Sequence, residues 1–259
     1  PPRGPDSALD PAIHRTVMRG VVLAGGTGSR LLPLTRATNK HLLPVGRKPM
    51  IFYPIEKLVA AGLREILVVT GTEHMGDLVR TLGSGRDLGC ELTYRVQDEA
   101  GGIAQAHGLA RDFAQGGRVC VVLGDNLFED DLGPALRHFA EQKCGARIFL
   151  KAVPDPGRFG VAEIASDGTI ASIEEKPTRP KSCYAVTGIY GYDARVFDII
   201  ESLRPSARGE LEITDVNSAY VRAGEMEYEV LRGWWTDAGT HESLARAQGL
   251  VSEEPRGED

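Results

Sequence analysis

The 259-residue chain is 42% hydrophobic and 25% charged, a composition typical of a globular protein with one substantial core. Its formal net charge of −6 excludes a broad basic surface for nucleic acid or for an acidic membrane, although small anions can still bind at local cations. The four cysteines are widely spaced and form no C-x-x-C pair, so we expect neither a zinc site nor a disulfide framework. A reducing cytoplasm is the expected setting.

The two ends of the chain differ in composition from the rest. Residues 1–17 contain four prolines and lack the apolar segment of a secretory signal, so we expect a flexible extension with the folded unit beginning at Met18. Residues 252–259 are polar, and we expect a frayed tail. No apolar run approaches the roughly 20 residues that span a bilayer. Since no internal repeat occurs, residues 18–251 are expected to form one domain.

Short apolar segments rich in β-branched residues alternate with helical patterns in the first half of the chain. Strands are predicted over residues 20–25, 65–71 and 119–125, and helices over residues 50–61 and 75–83. The alternation predicts an α/β fold, a Rossmann-like open, mostly parallel mixed sheet flanked by helices. Such sheets bind ligands beyond the carboxyl ends of their strands.

A glycine-rich segment directly follows the first predicted strand, in the sequence LAGGTGSRLLPLTRATNKHLLPV at residues 23–45. Gly25, Gly26 and Gly28 leave room for the backbone to approach a bulky anion. Arg30 and Lys40 supply fixed positive charge of the kind that a triphosphate or a departing pyrophosphate needs. This pattern predicts a nucleotide-binding loop; the alternative, a turn that merely connects a strand to a helix, leaves the two cations without a role.

Two familiar glycine motifs are excluded. A dinucleotide-binding fingerprint requires G-x-G-x-x-G, and Leu31 stands where the third glycine belongs. A Walker loop, G-x-x-x-x-G-K-[ST], occurs nowhere in the chain. Hydride transfer and P-loop kinase chemistry therefore lose their sequence support.

The glycine-rich segment resembles the signature of the sugar-1-phosphate nucleotidyltransferases, GG-x-G-[ST]-R-L-x-P-L-T followed by K-x-L-L-P-[VI]. Further blocks are similar to the family and follow its order, at residues 121–132, 158–164, 174–193, 209–217 and 234–244. Among these enzymes the glucose-1-phosphate thymidylyltransferases are the most similar. The resemblance implies Mg²⁺-assisted transfer of a nucleotidyl group from dTTP to glucose-1-phosphate, with dTDP-glucose and pyrophosphate as products. It also implies a nucleotide half over about residues 18–125 and a sugar half over about residues 126–245.

The resemblance also assigns roles to individual residues. Catalytic positions are Arg30, Lys40 and Lys176, and the metal-binding positions are Asp125 and Asp237. Nucleotide-binding positions are Leu23, Gly25, Gly26, Gly28, Gln97, Gly102 and Asp125. Sugar-binding positions are Gly160, Glu175, Thr187, Gly188 and Trp235.

Three of these positions have a physical rationale and a plainer alternative. Asp125 ends a strand and offers the hard oxygen that Mg²⁺ prefers, but an aspartate there also caps turns. The Lys176 ammonium offsets repulsion between a sugar phosphate and a nucleotide phosphate, although Glu175–Lys176 also suits a charged strand end. The Gln97 amide can donate and accept together, which fits the edge of thymine or uracil. A glutamine could also pair with adenine, or Gln97 is simply a solvated loop residue.

Some features depart from the family pattern. His41 stands where glutamine is usual, and Phe159 occupies a position that is often tyrosine. The chain stops shortly after residues 234–244, as a short form would, so we expect weak or altered inhibition by the end-product nucleotide sugar. Alternatives are another nucleotide, UTP first and then ATP, another sugar or cyclitol phosphate, or a non-catalytic homologue. A homo-oligomer is expected, with neither nucleic acid nor membrane as a partner.

Overall fold

The computed structural model describes residues 18–253, so the expected N-terminal extension and residues 254–259 lie outside the described residues. The strands are β1 (Met18–Ala24), β2 (Pro44–Val45), β3 (Lys48–Pro49), β4 (Glu65–Gly71), β5 (Glu91–Gln97), β6 (Arg118–Leu123), β7 (Asn126–Phe128), β8 (Ala146–Ala152), β9 (Gly160–Ile164), β10 (Ile170–Glu175), β11 (Tyr184–Tyr192), β12 (Met226–Val230) and β13 (Trp235–Asp237). The helices are α1 (Phe52–Ala60), α2 (Met75–Leu82), α3 (Ile103–Gly108), α4 (Arg111–Ala114), α5 (Gly133–Glu141), α6 (Val196–Ser202), α7 (Ile213–Arg222) and α8 (His241–Glu253).

A mixed sheet of nine strands forms the centre of the described chain. Seven strands follow the order β10-β9-β11-β6-β1-β4-β5, and β8 and β12 extend the sheet from β11. The strands β6, β1, β4 and β5 are parallel, whereas β11 is antiparallel to β6 and β9 is antiparallel to β10. The predicted α/β fold is therefore confirmed: the sheet is mixed, with four adjacent parallel strands from the first half of the chain and both antiparallel and parallel pairs, the latter between β8 and β12, in the second.

The helices cover both faces of this sheet. Alternate residues of a strand point to opposite faces, and in β1 Val21 and Leu23 enter one core cluster while Val22 and Ala24 enter another. The first cluster includes side chains of α3, α6 and α7, and the second includes side chains of α1, α2 and α5. Burial on both faces explains why β1 is an unbroken apolar run, the pattern from which it was predicted.

The strand β11 changes register where it crosses the middle of the sheet. Its pairing with β8 shifts between Val186 and Tyr190. Within this break the backbone N–H of Gly188 donates to the side-chain Oδ1 of Asn126 at 2.9 Å. A side chain of β7 thus replaces a ladder bond, and the two elements are joined beside the cleft described below.

The helix α8 packs over a third, smaller apolar cluster that includes Leu127 and Ala247. The side chain of Gln248 accepts from the Gly46 N–H at 2.8 Å and donates to the Pro44 carbonyl at 2.6 Å. Ser252 donates to the Gln248 carbonyl at 2.7 Å, so α8 continues two residues into the segment expected to be frayed. Across residues 18–253, every helix is too short or too polar to cross a bilayer.

Candidate active site

A cleft of about 380 Å³ opens beyond the carboxyl ends of the parallel strands. Its walls include the glycine loop after β1, the end of β5 and the turn after β6, as the rule for open α/β sheets predicts. The opposite wall comes from the second half of the chain, through β9, β10, β11, β13 and α7. Both halves therefore contribute side chains to one cavity.

Hydrogen bonds to the Gly28 carbonyl fix the conformation of the glycine loop. Gly28 adopts a left-handed conformation with φ +62°, and its carbonyl accepts from the Thr35 hydroxyl at 2.9 Å and from the Leu31 N–H at 2.9 Å. A Cβ on Gly28 would lie 2.8 Å from the Thr35 methyl carbon. Gly28 thus supports the loop from outside the cleft, whereas Gly25 and Gly26 line it.

Two aspartates are brought together by a short antiparallel pair of strands. Asp237 on β13 lies opposite Asn126 on β7, directly beside Asp125, and the Asp125 carbonyl accepts from the Ala238 N–H at 2.9 Å. The Lys40 ammonium forms an ion pair with Oδ2 of Asp125, and both side chains are largely buried. Residues more than a hundred positions apart in the chain therefore form one charged cluster.

The electrostatics of the two carboxyls differ. Burial tends to raise the pKa of Asp125, but the neighbouring Lys40 ammonium outweighs it and holds that pKa below its usual range. Burial, together with the Asp125 charge, raises the pKa of Asp237 to about 6. The pair thus contains one carboxylate that is already neutralised by a lysine and one whose negative charge is disfavoured until a further cation arrives.

The Arg30 guanidinium lies next to the turn that follows Asp237. The Gly239 N–H donates to Oδ1 of Asp237 at 2.8 Å, and a Cβ built on Gly239 would lie only 2.9 Å from a guanidinium nitrogen of Arg30. A side chain at position 239 would therefore displace the Arg30 guanidinium. The charges of Arg30 and Lys40 both lower the pKa of Asp237, although less than burial raises it.

The aspartate pair fits a divalent metal that is shared with a ligand. Among residues 18–253, no group of three or more histidine, cysteine or acidic side chains could hold a metal unaided. Mg²⁺ is commonly bound by one or two carboxylates together with substrate phosphates and water. Asp125 and Asp237 supply these two carboxylates, and a cation between them would relieve the repulsion that raises the pKa of Asp237.

One side of the cleft includes Gln97 at the end of β5 and Gly102 at the start of α3. The Gln97 side chain is buried, with its amide nitrogen 3.4 Å from the Gly102 carbonyl oxygen and 2.7 Å from Oε1 of Gln105. Gly102 has φ +98°, and a Cβ there would lie 2.6 Å from the Leu211 carbonyl oxygen. A side chain is therefore excluded at this edge of the cleft.

The opposite side of the cleft contains the Glu175–Lys176 pair at the end of β10. The Thr214 hydroxyl donates to Oε2 of Glu175 at 2.6 Å, and the Lys176 ammonium lies 3.3 Å from Oε1. Lys176 has φ +45°, a left-handed conformation that is rare for a lysine. Such backbone strain is typical of residues held in place for a function.

The Asn126 side chain forms hydrogen bonds to three parts of the cleft wall. Its Oδ1 accepts from the Gly188 N–H and, at 2.8 Å, from the Trp235 indole N–H, while its Nδ2 donates to Oδ1 of Asp125 at 3.2 Å. Trp235 lines the cleft and packs edge-on against Phe159, with ring centroids 5.2 Å apart. One buried amide therefore fixes the positions of an aspartate, a backbone N–H and an aromatic wall.

Most of the residues assigned from the sequence lie in this cleft, and two do not. Gly28 supports the glycine loop without lining the cleft, and Thr187 is fully buried, with its hydroxyl donating to the Phe149 carbonyl at 2.8 Å. The lining residues are Leu23, Gly25, Gly26, Arg30, Lys40, Gln97, Gly102, Asp125, Gly160, Glu175, Lys176, Gly188, Trp235 and Asp237.

His41 lies at the base of the cleft as a buried neutral ring. Burial and the Lys40 charge lower its pKa to about 3, and its Nδ1 lies 2.7 Å from Oδ1 of Asn39. Cδ2 of His41 lies 2.7 Å from where a Cβ on Gly124 would be, so the imidazole packs under the turn that carries Asp125.

Sequence reasoning missed several polar residues of the cleft. Arg208, whose guanidinium pairs with Glu212 at 2.7 Å and lies 3.7 Å from Glu175, is the most prominent. It directly precedes the family-like block at residues 209–217, and that position was the only available signal. The other missed polar lining residues are Asn126, Arg158, Tyr190, Glu210, Glu212, Thr214 and Asn217.

Comparisons with known proteins identify the family. A glucose-1-phosphate thymidylyltransferase of Neisseria meningitidis is 47% identical over 237 residues, which cover 90% of this chain and 82% of the relative. The enzyme of that name from Actinoplanes is 49% identical over 237 residues, covering 90% of this chain and 78% of the relative. The family model described as Nucleotidyl transferase matches residues 19–254.

Comparison with solved structures points to the same kind of enzyme. A Bacillus anthracis protein described as a candidate glucose-1-phosphate thymidylyltransferase, crystallised with sucrose, superposes with a TM-score of 0.89 at 56% identity. The match covers 93% of this chain and 98% of that one. A UDP-glucose pyrophosphorylase with bound UDP-glucose superposes with a TM-score of 0.81 at 23% identity and shares the fold. The chain belongs to the nucleotidyl transferase family.

Proposed function

We propose that this protein is a glucose-1-phosphate thymidylyltransferase. The observation that supports this function best is the Lys40–Asp125–Asp237–Arg30 cluster, which lies in one cleft with the nucleotide-side Gln97 and the sugar-side Glu175–Lys176 pair. Such a cleft offers separate places for a base, a phosphate chain and a sugar. The names of the relatives point to the same substrates, dTTP and glucose-1-phosphate.

In the proposed reaction a phosphate oxygen of glucose-1-phosphate attacks the α-phosphorus of dTTP. The bond between the α-phosphorus and the bridging oxygen breaks, pyrophosphate leaves in line with the attack, and dTDP-glucose remains. No covalent intermediate with the protein is needed. Because both reactants are anions, positioning and charge neutralisation account for most of the acceleration that the protein must provide.

The three cationic side chains of the cleft have separate roles in positioning and charge neutralisation. Lys176, at the end of β10, holds the sugar phosphate against the α-phosphate and offsets their repulsion. Arg30 and Lys40 face the cleft from the other wall, where the nucleotide phosphates and the leaving pyrophosphate gather charge. Glu175, fixed by Thr214, accepts hydrogen bonds from sugar hydroxyls and so orients the attacking group.

A divalent metal is general in this family, and we propose Mg²⁺ with Asp125 and Asp237 as its protein ligands. When bound, the ion supplies charge neutralisation at the phosphates. The protein's own contribution is to hold the two carboxylates side by side through the β7–β13 pairing, with Lys40 fixing the first and Gly239 the second. The six histidines have no catalytic role in this proposal.

UTP is the closest alternative nucleotide because Gln97 can pair with uracil as it pairs with thymine. The two bases differ by one methyl group, and such a contact is worth only about 1–3 kcal/mol. Preference for dTTP over UTP should therefore be partial unless the deoxyribose adds to it. A different sugar phosphate would keep the same mechanism, since Lys176 and the aspartate pair address the phosphates and not the ring.

The test is pyrophosphate release by the purified protein with Mg²⁺ and glucose-1-phosphate, with dTTP, UTP, CTP, ATP and GTP offered separately. The expected result is fastest release with dTTP, abolished by Asp125→Asn and retained by Asp77→Asn on the exposed surface of α2. Preference for another base would correct the substrate and keep the mechanism. If none of the five nucleotides gives pyrophosphate release, the proposed reaction is contradicted.

A further inference from the structure

Gln105 on α3 lies behind the base-side wall of the cleft, with its side-chain amide among the residues that follow β5. Its Oε1 accepts from the backbone N–H of Gly101 at 3.0 Å and from Nε2 of Gln97 at 2.7 Å. A backbone N–H can only donate, so the atom of Gln105 at this position must be the oxygen. The group of Gln97 that meets this oxygen must consequently be its NH₂.

A second acceptor imposes the same orientation on Gln97. Its Nε2 also lies 3.4 Å from the Gly102 carbonyl oxygen. The Gln97 carbonyl oxygen is therefore turned the other way, toward the glycine loop, where a Cβ built on Gly25 would lie 2.7 Å from it. A flipped amide would place one oxygen against two others in a buried site, which leaves donors and acceptors unmatched.

The fixed amide offers the base an acceptor at a defined place. Thymine and uracil carry an N3–H that can donate to this oxygen, whereas N3 of cytosine is itself an acceptor and would oppose it. An amide that was free to rotate could satisfy either base by exchanging its donor and its acceptor. Orientation of Gln97, and not its chemistry alone, is what distinguishes these pyrimidines.

We propose that Gln105 is a positioning residue that makes the enzyme select uracil-type bases over cytosine by fixing the side-chain orientation of Gln97. The inference rests on the proposed role of Gln97 in contacting the base. Gln105 itself is not part of the cleft lining, so it acts through Gln97 and the substrate does not contact it.

The test compares dUTP with dCTP, which share the deoxyribose and both lack the 5-methyl group. The measured quantity is the ratio of kcat/KM for the two nucleotides, in which general losses of activity cancel. In Gln105→Leu the Gln97 amide loses its strongest orienting acceptor, and the ratio should fall about tenfold or more. Gln105→Glu keeps an oxygen for both donors, so its ratio should stay within about twofold of that of the unaltered protein.

A second variant addresses the same contact from the backbone. A Cβ on Gly101 would lie 2.4 Å from the amide carbon of Gln105, so Gly101→Ala should displace that side chain and lower the ratio as well. Gly71→Ala, at a glycine with nothing within 4 Å of the added carbon, is the matched control and should leave the ratio unchanged.

The outcomes separate this inference from the proposal on which it rests. If Gln97→Leu leaves the ratio unchanged, Gln97 does not contact the base and both fail. If Gln97→Leu lowers the ratio while Gln105→Leu and Gly101→Ala do not, the base contact stands and the positioning role of Gln105 is overturned. If Gln105→Glu loses discrimination as fully as Gln105→Leu, an orienting acceptor is not what matters.

Discussion

At the scale of single residues, Asp237 is held in an environment that disfavours its own charge. Burial and the nearby Asp125 raise its pKa to about 6, and only the Gly239 N–H and the surrounding cations oppose this. A buried carboxylate whose charge is disfavoured destabilises the folded protein, but it is well suited to bind a cation.

Asp237→Asn should lower kcat by about 10²–10³-fold, a loss typical of removing one charge-stabilising group. It should not lower the melting temperature in metal-free buffer, because a neutral amide removes the repulsion with Asp125. Pyrophosphate release and thermal unfolding measure the two effects, with Asp77→Asn as the control for a surface carboxylate. A variant that is inactive because it is less stable would contradict the assignment of Asp237 to the metal.

His107, on α3, is a buried titratable residue that does not line the cleft. It is fully buried against Tyr192 and Phe197, and neither ring nitrogen has a hydrogen-bond partner among the described residues. Burial lowers the pKa of His107 to about 3. As the pH falls below about 6.5 the unfolded chain takes up a proton here that the folded chain does not, so the free energy of unfolding decreases.

His107→Phe should remove this pH dependence because phenylalanine suits the aromatic neighbours and does not titrate. Its stability relative to the unaltered protein should increase by about 2 kcal/mol between pH 7.5 and pH 5. Urea unfolding at the two pH values measures the difference, and the same substitution at the exposed His138 is the control. A constant difference at both pH values would mean that His107 is not held neutral by burial.

At the scale of secondary-structure elements, the break in β11 is where the sheet is adapted to the cleft. Gly188 lies in that break, and a Cβ there would lie 2.7 Å from Cγ and Nδ2 of Asn126 and from Cγ of Leu123. Asn126 in turn positions Asp125 and Trp235. A side chain at Gly188 must therefore displace Asn126 or Leu123, the residues that flank the turn with the first aspartate.

Gly188→Ala should destabilise the fold by about 1–3 kcal/mol, as overpacking of a buried site does, and should also reduce kcat. Gly76→Ala on α2 has nothing within 4 Å of the added carbon and should be neutral or slightly stabilising. Equilibrium unfolding in urea and steady-state assays would measure both variants. Equal stability of the two would show that β11 and β7 can separate without cost.

The elements also explain what the sequence could and could not predict. The strands β1, β4 and β6 were predictable because burial on both faces makes each an apolar run, and the glycine loop was predictable because backbone approach to an anion demands glycine. The meeting of Asp125 and Asp237 was not: it depends on β7 and β13, two three-residue strands too short for a periodic signal. Only the family resemblance indicated it.

The direction in which a side chain points was also beyond what the sequence could predict. Thr187 belongs to a family-like block, yet its hydroxyl is used inside the sheet by the Phe149 carbonyl. Gln105 and Asn126 carry no motif of their own and act through hydrogen bonds to neighbours. Such roles follow from the direction in which a side chain points, which a single sequence specifies only after the register of β11 and the start of α3 are known.

At the scale of the whole molecule, the cleft joins two halves of one chain. The loop after β1 and the end of β5 line one side of the cleft, where we propose that the nucleotide binds, and β10 and α7 line the other, where we propose that the sugar binds. A ligand that contacts both sides should stabilise the fold more than one that contacts only the first. At a concentration of 100 times Kd, a ligand adds about 2.7 kcal/mol of stability.

For a chain of this size such a gain raises Tm by roughly 5–10 °C. dTDP-glucose should therefore raise Tm more than dTDP at equal concentration, because its glucosyl group reaches Glu175 and its neighbours. Glu175→Ala should remove most of the difference between the two ligands while leaving the shift with dTDP unchanged, and Lys181→Ala, on the exposed surface, should change neither. If the difference persists in Glu175→Ala, the glucosyl group is bound elsewhere, and the division of the cleft into a nucleotide half and a sugar half would be wrong.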